Sequence, residues 1–121
     1  MKEIKLHDGE LNIMELLWLN KELAAKDMAK IIKEYVGWEK NTTYTVIKRL
    51  IDKGYIAREE PGFLCRALIP KKMVQQWETK DLLNKYYEGS IENFISQYLR
   101  GQDLSATEIE LLQKVVLEQR V

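Results

Sequence analysis

The sequence contains few of the residues on which catalysis and metal binding depend. It has one cysteine and one histidine in 121 residues. A single cysteine excludes an internal disulfide framework, and Cys65 and His7 are too far apart in sequence to suggest a nucleophile–base pair. Phosphate-binding loops and HExxH or CxxC motifs do not occur. We therefore predict no enzyme activity, no cofactor and no metal site, and we interpret Cys65 as a half-buried apolar residue.

Long apolar runs are also missing. No stretch approaches the roughly 18 to 20 apolar residues that a membrane-spanning helix requires, and residues 1–5 are not an apolar signal segment. Together with the single cysteine, these absences predict a cytoplasmic protein with no insertion into a membrane. The hydrophobic content of 45% is enough for a buried core, so the chain can form one small domain with an extension.

The chain has no net charge, with 19 cationic and 19 anionic residues, but the charges are unevenly distributed. Residues 1–37 carry six cations and seven anions, residues 38–72 carry eight and four, and residues 73–121 carry five and eight. The regional balances are therefore −1, +4 and −3. A local positive excess is typical of a nucleic-acid interface, although a solvated helix face beside a charged loop gives the same pattern.

Residues 38–66 form the stretch around which the chain is organised. Four residues at helical spacing predict the buried face of a helix; they are Thr43, Ile47, Leu50 and Ile51. Gly54 is expected to end this helix in a left-handed conformation. Two short runs follow at 55–60 and 63–69, separated by a turn at Pro61-Gly62. A helix followed by a hairpin predicts a winged helix.

The opposite face of the same helix carries groups that can bond base edges and phosphates. The predicted DNA-contacting residues on it are Asn41, Thr42, Tyr44, Thr45, Lys48 and Arg49. Arg49 is suited to a bidentate contact with guanine or to a phosphate clamp, and the alternative is a salt bridge to Asp52 or Glu39. Lys53, Arg58 and Arg66 are predicted to contact phosphates.

Two helices are predicted before this stretch. The first spans about 8–19, with Asp8 as its N-cap and an apolar stripe formed by Leu11, Met14, Leu17 and Trp18. The second spans about 24–35, with Met28, Ile31, Ile32 and Tyr35 at helical spacing. The gap before the third helix is short, and either Glu39 or Asn41 can cap that helix. This spacing is typical of a helix-turn-helix, so the fold class is mainly α, a winged helix-turn-helix with a small β-hairpin wing.

The C-terminal region is predicted to be three amphipathic helices that need a partner surface. One spans about 71–88, the next follows Ser90 and ends at Gly101, and the last begins with a capping box of Ser105 and Glu108. The region is too thin to form its own core, so we predict a two-fold dimer. The alternative is that it packs on the N-terminal helices. The predicted interface residues are Trp77, Leu83, Tyr87, Ile91, Phe94, Ile95, Tyr98, Leu112 and Val116. This divides the chain into a DNA-binding domain at 1–70 and a dimerisation domain at 71–121.

The sequence resembles the penicillinase-repressor family, which includes the β-lactamase, methicillin-resistance and copper-transport repressors. The similarity extends over about residues 8–118. In the first part of the chain the matching residues are Trp18, Thr42, Thr45, Arg49-Leu50, Lys53-Gly54, Arg58 and Gly62. In the tail they are Tyr86 to Ser90, Phe94-Ile95 and Leu104-Ser105.

The resemblance implies a dimeric transcriptional repressor that places its third helix in the major groove of each half of a pseudo-palindromic operator. The family's half-sites often contain TACA and TGTA. Thr42, Thr45 and Arg49 match the DNA-facing positions. Asn41 stands where a lysine often stands, which changes the expected operator.

The resemblance also suggests how repression ends. In the β-lactamase branch a membrane sensor protease cuts the repressor between an asparagine and an aromatic residue, and that bond aligns with Gln97-Tyr98 here. The glutamine departs from the family pattern. In the copper branch the tail ends in a CxC pair, which this chain lacks. The competing hypothesis is a winged helix that binds an acidic protein through Lys48 and Arg49 and never contacts DNA.

Overall fold

The computed structural model describes residues 3–120, which form six α-helices and three short β-strands. The helices are α1 (Asp8–Leu19), α2 (Ala25–Tyr35), α3 (Lys40–Asp52), α4 (Lys71–Tyr86), α5 (Ile91–Arg100) and α6 (Ala106–Glu118). The strands are β1 (Leu23–Ala24), β2 (Ile56–Glu59) and β3 (Leu64–Ala67), and they form one antiparallel sheet in the order β1-β3-β2. The predicted fold class, a mainly helical winged helix, is confirmed.

The chain divides into two compact units at Thr79/Lys80, within α4. The core of the first unit lies where α1, α2 and α3 meet the sheet. Its largest fully buried apolar side chains are Ile13, Met14, Met28, Ile47, Leu50 and Ile56. Periodicity was wrong at two positions, because the side chains of Leu11 and Tyr35 remain 41% and 79% exposed. Both residues lie at the edge of their stripe, where helical spacing alone does not decide burial.

The third helix is built as its sequence predicts. Thr43, Ile47 and Leu50 are fully buried, and Ile51 is half-buried. Glu39 is the N-cap residue of α3, which settles the choice left open between Glu39 and Asn41. At the C-terminal end Gly54 has a φ of +83°, and the Tyr55 N–H donates to the Leu50 carbonyl. This pattern is a Schellman motif. Glycine adopts its left-handed conformation without steric cost because it has no Cβ.

The first helix has the predicted bounds, but its N-cap is one residue earlier than predicted. His7 is the N-cap and Asp8 is the first helical residue. The Glu10 carboxylate accepts a hydrogen bond of 2.8 Å from the His7 backbone N–H, which is the return half of a capping box. Glu10 is fully buried, and its Oε1 also accepts a 2.7 Å salt bridge from Lys53 Nζ. The start of α1 is thus tied to the end of α3.

The hairpin is shorter than predicted, and it is joined by a strand that the sequence did not reveal. Ile56 pairs with Ala67 and Glu59 with Leu64, so the turn spans residues 60–63 and includes Pro61-Gly62 as expected. Strand β1 is only two residues long and pairs Leu23 with Cys65. The sequence analysis began the second helix at about Ala24 and assigned Leu23 to no element, because so short a segment shows no alternation.

The second unit holds the end of α4 together with α5 and α6. The predicted caps are present: the Ser90 hydroxyl accepts from the Asn93 N–H, and Ser105 and Glu108 form the reciprocal capping box. Helix α4 ends at Tyr86, two residues before the predicted end. Neither α5 nor α6 contains a buried residue, as expected of a region too thin for a core of its own.

Candidate nucleic-acid interface

The outer face of α3 is exposed to solvent and carries polar side chains that can bond an external partner. Asn41, Thr42, Thr45, Lys48 and Arg49 are all exposed, because residues one and two positions away on the same helix fill the core. The Thr45 hydroxyl donates a 2.9 Å hydrogen bond to the Asn41 carbonyl one turn earlier, and its oxygen can still accept. This face presents donors, acceptors and methyl groups along three helical turns.

The two cations on this face have no carboxylate partner among residues 3–120. Neither Lys48 nor Arg49 is in a salt bridge within that range, whereas Glu39 pairs with Lys33 at 3.4 Å. The alternative of an Arg49 salt bridge to Asp52 or Glu39 is therefore wrong. An exposed guanidinium without an internal partner keeps its five donors available for an external acceptor.

Tyr44 differs from its neighbours on α3. It is half-buried, and its ring meets the Phe63 ring edge to face with centroids 5.7 Å apart. Lys40 Nζ lies 5.7 Å from the centroid of the same ring. The sequence predicted Tyr44 as a DNA-contacting residue, but its ring joins α3 to the hairpin. Phe63 belongs to the hairpin turn, with a φ of +49°.

The hairpin carries two arginines that were predicted to contact phosphates. The Arg58 guanidinium stacks 3.6 Å from the Phe63 ring centroid, and its Nε lies 2.5 Å from a Glu60 oxygen. Arg66 Nε lies 3.4 Å from Glu59 Oε1. Both arginines remain exposed. The hydrogen bond from Arg58, with that from the Phe63 N–H, holds the pKa of Glu60 below its ordinary value, so this carboxylate is charged at neutral pH.

Lys53 differs from Lys48 and Arg49 in having a salt-bridge partner within residues 3–120. Its ammonium is held by the buried Glu10 carboxylate, and it lies 5.9 Å from the Tyr55 ring centroid. The sequence predicted a phosphate contact for Lys53 and did not reveal its pairing with Glu10, because the two residues are 43 positions apart and no local pattern links them. The ammonium of Lys53 is thus engaged by a carboxylate of the same unit, unlike the cations of Lys48 and Arg49.

Four lysines that were not among the predicted DNA-contacting residues line a groove of about 260 Å³. Lys26, Lys30 and Lys33 lie on α2 at i, i+4 and i+7, and Lys40 is the first residue of α3. The regional charge count concealed the three lysines of α2, because residues 1–37 also carry seven anions; Lys40 was counted in the positive segment 38–72. A count along one face of the predicted second helix would have found three of them. We call this site the lysine groove.

Cys65 is fully buried in β3, more so than the half-buried position predicted. Burial raises the pKa of its thiol to about 11, so the thiolate is scarce at neutral pH. Within residues 3–120 no group of three or more histidine, cysteine, aspartate or glutamate side chains is arranged to hold a metal ion. No helix in that range is long and apolar enough to span a membrane.

The second unit contains an apolar cleft of about 800 Å³ between α5 and α6. Five of the nine residues predicted for a dimer interface line it, namely Phe94, Ile95, Tyr98, Leu112 and Val116. Phe94 is fixed within the cleft wall by an edge-to-face contact with Tyr87 at 5.0 Å and by stacking on Tyr98 at 5.8 Å. Of the other predicted residues, Ile91 is 63% exposed, and Trp77 and Leu83 are half-buried.

Comparison with known proteins gives concordant results. The profile of a family described as Penicillinase repressor matches residues 6–118. The methicillin resistance regulatory protein MecI of Staphylococcus aureus is 26% identical over 117 residues, which are 95% of each chain. The penicillinase repressor of Bacillus licheniformis is 25% identical over 99% of this chain and 96% of its own.

A solved structure matches the first part of the chain. The solution structure of the DNA-binding domain of the repressor BlaI aligns with a TM-score of 0.54 and 25% identity. The alignment covers 58% of this chain and 88% of that domain. These relatives are named as regulators or repressors and not as enzymes.

Proposed function

Because the chain belongs to the penicillinase repressor family, whose members are transcriptional repressors, we propose that it is a dimeric repressor that reads a pseudo-palindromic DNA operator. The observation that carries this proposal is the outer face of α3, which is exposed and whose two cations have no salt-bridge partner within residues 3–120. Its partner is DNA, so we place the protein in the cytoplasm.

In this proposal α3 enters the major groove, which is wide enough for one helix. Arg49 supplies a bidentate contact to guanine, and Thr42 and Thr45 contact base edges or a thymine methyl group. Asn41 and Lys48 lie on the same exposed face, and the amide of Asn41 matches the donor and acceptor pair that adenine presents. These five residues are the proposed reading set.

Replacement of Arg49 by alanine is expected to cost about 1 to 3 kcal/mol of operator binding while leaving binding to random DNA much less affected. The reason is that a base contact discriminates between sequences, whereas a phosphate contact does not. Titration of labelled operator and scrambled duplexes measures both affinities. Arg66→Ala serves as the control, since a phosphate contact should be lost equally on both duplexes. Equal losses for Arg49→Ala would show that it contacts a phosphate.

The hairpin is proposed to contact the flanking backbone through Arg58 and Arg66. Each guanidinium is paired with a carboxylate at the exposed surface, where solvent screens the interaction. A phosphate can therefore replace the carboxylate at small cost. Tyr44, through its ring contact with Phe63, is proposed to set the hairpin's position relative to α3.

Two substitutions of Tyr44 separate this positioning role from a base contact. Tyr44→Phe keeps the ring against Phe63, and we expect operator affinity within about twofold of the unmodified protein. Tyr44→Ala removes a ring pair worth about 0.5 to 1.5 kcal/mol and frees the hairpin, so we expect a loss of up to about tenfold. The loss should be non-additive with that of Phe63→Ala in a double-mutant cycle. A large loss for Tyr44→Phe would instead assign a DNA contact to the hydroxyl.

The proposed dimer is held by residues 71–121, with residues 1–70 as the DNA-binding domain. The support is the apolar cleft between α5 and α6, whose lining side chains Ile95, Tyr98 and Val116 are 39%, 52% and 62% exposed. A contiguous apolar surface of this kind marks an interaction site. A second copy of the chain is the proposed occupant, since a two-fold operator matches a two-fold protein.

Release by proteolysis within α5 is a further part of the proposal. Gln97-Tyr98 lies near the end of that helix, and the Gln97 side chain donates to Asn93 Oδ1 one turn earlier. A protease must locally unwind the helix around this bond to cut it. Helix α5 has no buried residue whose packing would oppose the unwinding. Incubation with membranes that contain the induced sensor protease should cleave the chain at this bond. An intact chain would remove cleavage from the proposal.

Selection of bound duplexes from a random DNA pool tests the function directly. At about 0.15 M salt, where contacts to phosphate alone are weakened, we expect enrichment of a two-fold symmetric site. Enrichment of no site by a protein shown to be folded would favour the alternative, a winged helix that binds an acidic protein through Lys48 and Arg49.

A further inference from the structure

The turn of the hairpin contains a carboxylate that contacts two groups at once. Glu60 Oε1 accepts a 3.2 Å hydrogen bond from the Phe63 backbone N–H, and Glu60 Oε2 lies 2.5 Å from Arg58 Nε. The first contact closes the turn, and the second reaches back to strand β2. A carboxylate has enough acceptor sites for both. Glu60 therefore connects the backbone of the turn to the side chain of an arginine on the strand.

The Arg58 guanidinium is restrained from two sides. It stacks 3.6 Å from the Phe63 ring centroid, while Glu60 holds its Nε. A free arginine side chain has many rotamers, and fixing one of them against a ligand reduces its conformational entropy. Because Arg58 is already held in the free protein, part of this entropy is lost before any ligand binds.

The restrained guanidinium still has donors for a phosphate. A guanidinium carries five N–H groups, and one carboxylate engages at most two of them. The Arg58 side chain also remains 42% exposed. A phosphate can therefore bind Arg58 either in place of Glu60 or beside it, and the second arrangement keeps the turn intact.

The restraint on Arg58 extends to the helix that carries the proposed reading set. The Phe63 ring, on which Arg58 stacks, meets the Tyr44 ring of α3 edge to face with centroids 5.7 Å apart. Arg58, Phe63 and Tyr44 thus form a continuous stack from the hairpin to α3. The position of the guanidinium relative to α3 is therefore set before DNA binds.

Glu59 has different surroundings, although it is the adjacent residue. Its carboxylate lies 3.4 Å from Arg66 Nε and accepts no backbone hydrogen bond within residues 3–120. Both carboxylates are exposed and belong to the same hairpin. They differ in that Glu60 bonds the backbone of the turn, so Glu59 offers a matched control for the charge of Glu60.

We infer that Glu60 is a positioning residue for DNA binding, which fixes Arg58 against Phe63 so that the guanidinium meets a flanking phosphate when α3 occupies the major groove. This inference rests on the proposed function, in which Arg58 contacts the DNA backbone. It gives an acidic residue a favourable role in binding a polyanion. Charge alone predicts the opposite, because a carboxylate at the interface repels DNA.

The direction in which Glu60→Gln changes affinity separates positioning from charge. The substitution removes a negative charge and keeps an oxygen that can accept from the Phe63 N–H. We expect binding to a mixed-sequence duplex to weaken by about threefold, because a neutral amide holds the guanidinium less strongly than a carboxylate does. The slope of log Kobs against log salt should fall by up to about 0.9, the contribution of one phosphate contact. Fluorescence anisotropy between about 50 and 200 mM salt measures both quantities.

Two further variants complete the test. Glu59→Gln removes the same charge from the adjacent residue, and we expect its affinity to be unchanged or higher. In an Arg58→Ala background, Glu60→Gln should no longer weaken binding, because the guanidinium that Glu60 positions is absent.

Three results would overturn the inference and leave the proposed function standing: affinity that is unchanged or higher for Glu60→Gln, an equal loss for Glu59→Gln, or a loss for Glu60→Gln that persists without Arg58. Failure of the unmodified protein to bind any duplex would overturn both.

Discussion

Replacement of Lys53 by alanine is expected to destabilise the first unit by about 3 kcal/mol, although the sequence suggested a surface cation that contacts DNA. The substitution leaves the Glu10 carboxylate buried without its 2.7 Å partner. Breaking a buried ion pair by removing one member costs about 3 to 5 kcal/mol. The lower end applies because the Lys53 side chain is 28% exposed, so water can replace part of the lost interaction. Denaturant unfolding measures the difference.

The loss should depend on pH. Burial by itself raises the pKa of Glu10, but the hydrogen bond from the His7 N–H and the salt bridge and hydrogen bond from Lys53 outweigh it and hold the pKa below its ordinary value. A lowered pKa in the folded state stabilises the protein above the unfolded-state pKa, and this contribution is lost as pH falls through the folded-state pKa. Stability should therefore decline at acidic pH, and the cost of Lys53→Ala should shrink there.

Two further variants test whether the loss of stability arises because the Glu10–Lys53 pair is buried. Lys33→Ala breaks the exposed pair with Glu39 and should cost about 0 to 1 kcal/mol. The double variant Glu10→Gln/Lys53→Met removes both charges and should recover much of the loss, because no buried charge is left alone. If Lys53→Ala costs no more than Lys33→Ala, the Glu10–Lys53 pair does not stabilise the fold as inferred.

The double substitution Phe94→Asp/Tyr98→Asp is expected to convert the proposed dimer into monomers. Both side chains line the apolar cleft between α5 and α6. A carboxylate buried there without a partner costs at least about 2 kcal/mol per residue, so the dimer dissociation constant should rise by about a thousandfold or more. Sedimentation or light scattering over a concentration series measures the mass.

The control for this experiment lies on the same helix. Ser96 is exposed on α5 and does not line the cleft, so Ser96→Asp should leave the mass unchanged. Far-ultraviolet circular dichroism of all variants checks that the helices remain. A dimer that survives Phe94→Asp/Tyr98→Asp would place the interface on a different surface of the chain.

Helix α3 illustrates how much of the site was predictable. Its period predicted that Thr43, Ile47 and Leu50 would be buried, and the structure buries all three. The exposure of Asn41, Thr42, Thr45, Lys48 and Arg49 follows from the same geometry, because a helix with one buried face must present the other. The sequence also predicted the helix caps at Gly54, Ser90 and Ser105 correctly, because a cap depends on residues within a few positions of one another.

The missed features depend on residues that are distant in sequence. Glu10 and Lys53 meet because α1 crosses the end of α3, and nothing near either residue indicates its partner. Tyr44 turns toward the hairpin because Phe63 lies within reach of its ring. Strand β1 forms because the outer edge of β3 offers unpaired backbone groups to Leu23 and Ala24.

The sequence by itself thus determined the helices, the caps at Gly54, Ser90 and Ser105, the winged-helix fold and the exposed face of α3. Each of these depends on periodicity or on contacts within one turn. The tertiary structure alone decided which charges are available to a ligand. It engages Lys53 with a buried carboxylate, and it leaves Arg49 without a salt-bridge partner within residues 3–120. It also brings Lys40 beside the lysines of α2. The physical reason is that the partners of a charged side chain depend on which elements meet, and their packing is specified by the whole core.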